Sequence, residues 1–207
     1  MFTPYGYATI RQVFFLSLLF ICAAIFSPLA LTIALVLTAL LAVTFTLYFF
    51  RDPERKAPDD KRAVLAPADG KILLVKPHSD SSTLVSIFMS PFNVHVNRIP
   101  IDGKVTTLTY HHGKFMMAFD HRSMESNEKM EIGIENGDIT VLFSQVSGFL
   151  ARRIVCDLKK GQQVKAGNRF GMIRFGSRVD LILPAAATVL VKPGEITKAG
   201  ETLIARY

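Results

Sequence analysis

The stretch "RFGSRV" at residues 174–179 sets Gly176 and Ser177 between two arginines. A serine hydroxyl can attack the carbonyl carbon of the residue before it when that peptide is strained and water is shut out. Glycine in the preceding place has no Cβ to block the attack and lets the backbone take unusual angles. The ester so formed can eliminate and leave a pyruvoyl group, a ketone that accepts an amine and takes up electrons. The plainer reading is a β-bulge or tight corner inside what otherwise reads as a strand, with Ser177 as filler. Residue types alone leave both open. Among His78, His95, His111, His112 and His121, only His95 lies in a motif-like run, "SPFNVHVNRIP". It is either a half-buried structural histidine or a proton carrier. His111 and His112 are adjacent, and strand neighbours face opposite ways, so they do not form a metal pair. Cys22 and Cys156 have no ligand-like spacing and read as small buried hydrophobes, so neither a disulfide framework nor a metal is expected.

These residues need elements to hold them. The first is an apolar block, Val13–Phe50, which carries no charge. At roughly 20 residues per span it suits two short helices rather than one. Ser27-Pro28 is the natural break, giving Ile10–Phe26 and Leu29–Phe50 as a hydrophobic hairpin within an anchor of residues 1–50. A cleaved signal peptide fits less well, because a further long apolar run follows any cleavage site near Ala24 or Ala30. Residues 51–63 form a basic collar and linker with Arg51, Arg55, Lys56, Lys61 and Arg62. Such a collar favours the cytoplasmic side of the cell membrane and an anionic lipid surface as partner. The formal net charge of +7 agrees. No basic-aromatic motif supports nucleic acid as a partner.

Residues 64–207 read as mainly β. "KILLV", "TLVSIFM", "KVTTLTY", "KMEIGIE", "ITVLFSQV", "RRIVCDL", "GMIRFG", "VDLILP" and "ATVLVK" have strand composition, and Asp69-Gly70, Asp102-Gly103 and Asn136-Gly137 are turn dipeptides. Short strands at this spacing predict a compact barrel or sandwich. "KKGQQVKAG" (159–167) echoes "KPGEITKAG" (192–200). The echo resembles the style of biotinyl/lipoyl-type hybrid barrels.

Several segments, in order, resemble the phosphatidylserine decarboxylase proenzyme family in its short, membrane-anchored form: "APADGKI", "FMSPFNVHVNRIP", "GKFMMAF", "SNEKMEIGIE", "QVSGFLARRIV", "GMIRFGSRVDLILP" and the final "GETLIARY". The resemblance covers essentially all of residues 50–207. It implies self-cleavage between Gly176 and Ser177 into a large β chain, 1–176, and a small α chain, 177–207, that stay together as a heterodimer. Ser177 would become the pyruvoyl cofactor and form a Schiff base with the amine of a membrane phospholipid. Loss of CO2 would then convert phosphatidylserine to phosphatidylethanolamine. The resemblance also gives Asp69 as the acid of an Asp-His-Ser processing triad. The chain departs from the family at one point. Many relatives carry two histidines three apart, whereas this sequence has His95 and then Arg98. Either His95 serves as both base and proton donor, or another group activates Ser177. Arg98 cannot act as a base and suits a carboxylate or phosphate. Lys114, Arg152 and Arg153 are further phosphate candidates.

Three other functions compete. A membrane-tethered carrier or adaptor barrel of the biotinyl/lipoyl type would need a lysine at a hairpin tip in a Met-Lys-Met or Asp-Lys-Ala setting, and the echoing turns enclose none. A pyruvoyl decarboxylase of a soluble amino acid would not need the anchor. A decarboxylase of a related serine phospholipid would carry the same motifs.

Overall fold

The computed structural model describes residues 1–79, 81–113, 127–148, 153–174 and 177–207. It divides into two compact units, Met1–Glu54 and Arg55–Tyr207.

The first unit is a helical hairpin. After a short 3-10 turn at Pro4–Gly6 come α1 (Tyr7–Ile25) and α2 (Leu29–Phe49). Pro28 caps α2, having no N–H to contribute to a continuing helix. Phe2 bridges Arg51, and Thr3 N–H donates to Phe50 O at 3.0 Å, so the two ends of the unit meet and the helices run antiparallel. Small residues lie between them: Ser17, Ala24, Ala39 and Thr46 are buried. Small side chains let helices approach closely in lipid, where bulk hydrophobicity gives no pull. Phe15, Leu37 and Leu41 face outward. By length and composition both helices can cross a membrane.

The second unit is β-rich, with strands β1 (Ala63–Leu65), β2 (Gly70–Ser79), β3 (Ser82–Met89), β4 (Val96–Arg98), β5 (Gly103–His111), β6 (Lys129–Glu135) and β7 (Thr140–Val146). There follow β8 (Ile154–Cys156), β9 (Gln163–Val164), β10 (Arg169–Ile173), β11 (Ser177–Pro184), β12 (Thr188–Val189), β13 (Ile196–Thr197) and β14 (Leu203–Arg206). An antiparallel eight-stranded sheet runs β13-β2-β3-β11-β7-β6-β5-β9. Two three-stranded sheets, β1-β14-β12 and β4-β10-β8, complete the unit. One face of the large sheet supplies the core: Ile72 of β2, Val85 and Ile87 of β3, Val141 and Phe143 of β7, and Val179, Leu181 and Leu183 of β11. These residues alternate along each strand as the pleat requires. The mainly β class expected from the sequence holds. β10 ends at Ile173 and a separate strand begins at Ser177, pairing with different neighbours.

The sequence echo is a structural repeat. Gly161 N–H donates to Val105 O and Gly194 N–H to Ile72 O, each at 2.8 Å. Gly167 N–H donates to Ile99 O at 2.9 Å and Gly200 N–H to Ala66 O at 2.8 Å. Gly167 and Gly200 have φ of +80° and +72°, a region that suits glycine. β9 then pairs with the start of β5 as β13 pairs with the start of β2. Reciprocal bonds, Leu65 N–H to Pro100 O and Arg98 N–H to Pro67 O, tie the two arms together. A local two-fold axis would produce this pattern.

Candidate active site

Ser177 opens β11 and is fully buried. It pairs with Met89 of β3, and its Oγ lies 3.5 Å from Met89 Sδ. A thioether is a weak acceptor, so the hydroxyl is lightly held. On the opposite face of β11, Arg178 Nε lies 2.9 Å from Asp180 Oδ1 in a buried ion pair. Burial pushes the Asp180 carboxyl above its ordinary range, against the pull of Arg178 and the Ser86 hydroxyl. That pair pins the strand immediately after Ser177.

The "SPFN" part of the His95 motif is a turn. Asn93 Oδ1 accepts from both the N–H and the hydroxyl of Ser90, each at 2.8 Å, and Asn93 N–H donates to Ser90 O at 3.0 Å. Side chains of this type hold turns by bonding nearby backbone. The turn fixes the carbonyl of Asn93, which lies 2.9 Å from Nδ1 of the fully buried His95. With Nδ1–H donating there, the neutral ring carries its lone pair on Nε2; this tautomer follows from the hydrogen bond.

Two residues further on, Asn97 is fully buried. Its Nδ2 donates to Pro67 O at 3.4 Å and approaches Met89 Sδ at 3.8 Å. Ser177 and Asn97 therefore touch the same sulfur atom. Gln145 of β7 joins them, its Nε2 donating to Asn97 Oδ1 at 2.9 Å and to Val155 O at 3.2 Å. The sequence analysis assigns no site role to Asn97 or Gln145. One signal was available: along β7 the inward positions read Val141, Phe143, Gln145, and the third breaks an apolar alternation.

Asp69 is nearly buried. Its Oδ1 accepts Ala199 N–H at 2.8 Å and its Oδ2 pairs with Arg55 Nη2 at 2.8 Å. Arg55 also reaches Glu201 at 3.4 Å. Its side chain is 9% exposed. This corrects the reading of Arg55 as part of a lipid-facing collar; the exposed cations there are Lys56, Lys61 and Arg62. The structure thus joins Asp69 to Arg55, and Ser177 to Met89, Asn97 and Gln145.

Arg98 is buried, and its Nη1 donates to Gly167 O at 2.8 Å. Its stem packs over Gly200, where a Cβ would sit 2.8 Å from Arg98 Cδ. Arg153 is exposed, and its carbonyl accepts Arg174 N–H at 3.2 Å. Burial and the neighbouring Arg153 charge lower the Arg174 pKa. Arg174, which the sequence reading did not choose, brings a second cation to the chain entering the Gly176-Ser177 bond. Gly176, Lys114 and Arg152 lie outside the described residues, as does most of "GKFMMAF".

The chain matches the family model described as phosphatidylserine decarboxylase over residues 43–205. Among curated proteins it is 67% identical to the phosphatidylserine decarboxylase proenzyme of Pelodictyon phaeoclathratiforme, with all of both chains covered. It is 65% identical to that of Chlorobium limicola, again over all of both chains. It is 54% identical to that of Chlorobaculum tepidum, over 97% of this chain and 95% of the relative. Agreement of this depth over the anchor and the β unit alike means that the chain belongs to the phosphatidylserine decarboxylase family.

Proposed function

We propose that the chain cuts itself between Gly176 and Ser177 and then decarboxylates phosphatidylserine to phosphatidylethanolamine and CO2. The observation that carries this reading is the setting of Ser177: a fully buried hydroxyl at the head of a strand, whose one hydrogen-bond partner among the described residues is a sulfur atom. A nucleophile with a strong structural hydrogen bond would be committed elsewhere; this one is not.

His95 Nε2 takes the proton as Ser177 Oγ attacks the Gly176 carbonyl. The acyl group moves from nitrogen to oxygen, breaking the peptide bond. Elimination frees Gly176 as a carboxylate, and water removes the nitrogen as ammonia, which leaves the ketone on residue 177. The site fits that group, because the residue that furnishes it is buried at the head of β11, beside the polar side chains of Asn97 and Gln145. A pyruvoyl group there supplies an electron sink for the pair left behind when CO2 departs. His95 Nε2 later returns a proton to the substrate carbon. Asp69 supports the self-cleavage. Arg98, Lys114, Arg152 and Arg153, joined by Arg174, provide cations for the substrate's carboxylate and phosphate. The anchor suits a substrate that stays in the bilayer, and the exposed cations Lys56, Lys61 and Arg62 favour the cytoplasmic leaflet of the cell membrane.

Intact mass of the denatured protein tests the proposal. Two fragments, Met1–Gly176 and Ser177–Tyr207 with a blocked N-terminus, are expected. Ser177→Ala stays whole and inactive. A single unbroken chain in an active preparation overturns the reading. Phosphatidylserine in vesicles, compared with other serine phospholipids, fixes the substrate.

A further inference from the structure

Gln145 stands where the alternation of β7 calls for an apolar side chain, and it is fully buried. An amide in that place costs free energy unless its hydrogen bonds are made. Half of them are. Both Nε2 protons have acceptors, Asn97 Oδ1 at 2.9 Å and Val155 O at 3.2 Å. Two acceptors on one side fix the sense of the amide and turn its carbonyl oxygen away from them. That oxygen, Oε1, is buried and accepts no hydrogen bond among the described residues. The fold makes room for the arrangement at Gly171, where a Cβ would stand 3.2 Å from Gln145 Nε2 and 2.1 Å from Val155 O.

The register puts the amide beside the reacting residue. Gln145 lies opposite Val179, and Ser177 is two residues before Val179 on the same face of β11. Ser177 in turn lies opposite Met89, whose sulfur also meets Asn97. A fixed, unfilled acceptor next to Ser177 calls for a ligand that brings a donor.

We propose that Gln145 Oε1 accepts an N–H of the substrate's amino group. It thereby holds the serine headgroup with its nitrogen lone pair turned toward residue 177. The inference rests on residue 177 carrying the ketone. It makes Gln145 a substrate-binding residue and gives the site a preference for lipids that carry an amine.

The test uses the full-length protein with Gln145→Met, similar in volume but without the amide oxygen, and Gln145→Glu, which keeps an acceptor. Intact mass reports self-cleavage. Vesicles of phosphatidylserine give KM and kcat. The rise in melting temperature with short-chain phosphatidylethanolamine, against short-chain phosphatidylglycerol, reports binding of the amine independently of turnover. Gln145→Met is expected to cleave normally, to raise KM about tenfold with kcat within about twofold, and to lose the extra rise given by the amine lipid. Gln145→Glu is expected to hold KM nearer the wild-type value than Gln145→Met does. Packing alone predicts the opposite order, since methionine suits a buried site better than a carboxylate. Loss of cleavage in both variants, or an unchanged KM and melting shift in Gln145→Met, overturns the inference. If the wild-type chain releases no Ser177–Tyr207 fragment, it is the assignment of Ser177 that fails.

Discussion

Asp69-Gly70-Lys71 and Asp102-Gly103-Lys104 occupy matching places in the two arms of the repeat. Each aspartate accepts a backbone N–H from the alanine of a Lys-Ala-Gly turn, Ala199 for Asp69 and Ala166 for Asp102, both at 2.8 Å. That bond is what the fold asks of an aspartate here, and it needs no catalytic explanation. The difference lies in the other carboxylate oxygen. Asp102 is exposed, whereas Asp69 is nearly buried and pairs with Arg55. A duplicated turn thus provides its own control: the shared bond serves the architecture, and the ion pair with Arg55 is what sets Asp69 apart.

The largest expected effect separates the twins outright. Asp69→Asn should slow self-cleavage by at least about a hundredfold, in the range where loss of a catalytic proton-handling group falls. Asp102→Asn should cleave at close to the wild-type rate. A time course of fragment appearance decides, and equal rates for both variants would reduce Asp69 to a turn residue.

Arg55→Met comes next. It strands Asp69 with one partner in a nearly buried place, at a cost of about 3 kcal/mol. Cleavage should slow less than in Asp69→Asn. Combined with Asp69→Asn, the stability losses should fall short of additive, as they do for residues in contact. Strict additivity in denaturant titrations would mean that the ion pair is not the distinguishing feature.

The smallest effect concerns the glycines of the repeat. Gly194→Ala meets open space but has φ of +97°, so it should lose about 1 kcal/mol from backbone strain alone. Gly200→Ala carries that strain and also collides with Arg98, which must then loosen from Gly167 O. It should melt lower than Gly194→Ala by a few degrees. Equal melting temperatures would show that Arg98 yields without cost.

Much of this was readable beforehand. Alternation gave the long strands, and the glycine spacing gave the repeat. β4 escaped because the polar Asn97 and Arg98 interrupt a short segment; both are buried and hydrogen-bond to Pro67, Gln145 and Gly167. Arg55 escaped for a related reason. A cation next to an apolar block looks like a lipid contact until a carboxylate fourteen positions on claims it. Ser177, His95 and Asp69 came from motif resemblance, because serine, histidine and aspartate carry no mark of their surroundings. Gln145 alone could have been found by pattern, as the polar residue on an apolar face.

The residues after the proposed cleavage point form β11, which sits between β3 and β7 in the middle of the large sheet. A cut before Ser177 leaves a short chain woven into the interior of a longer one, held by ladders on both sides. The single chain assembles as one molecule. The cut protein, once denatured, becomes two strangers that must meet in solution, and the shorter brings an exposed, aggregation-prone strand. Folding therefore has to precede the cut, and the mature protein is a state that can be reached once and not re-entered.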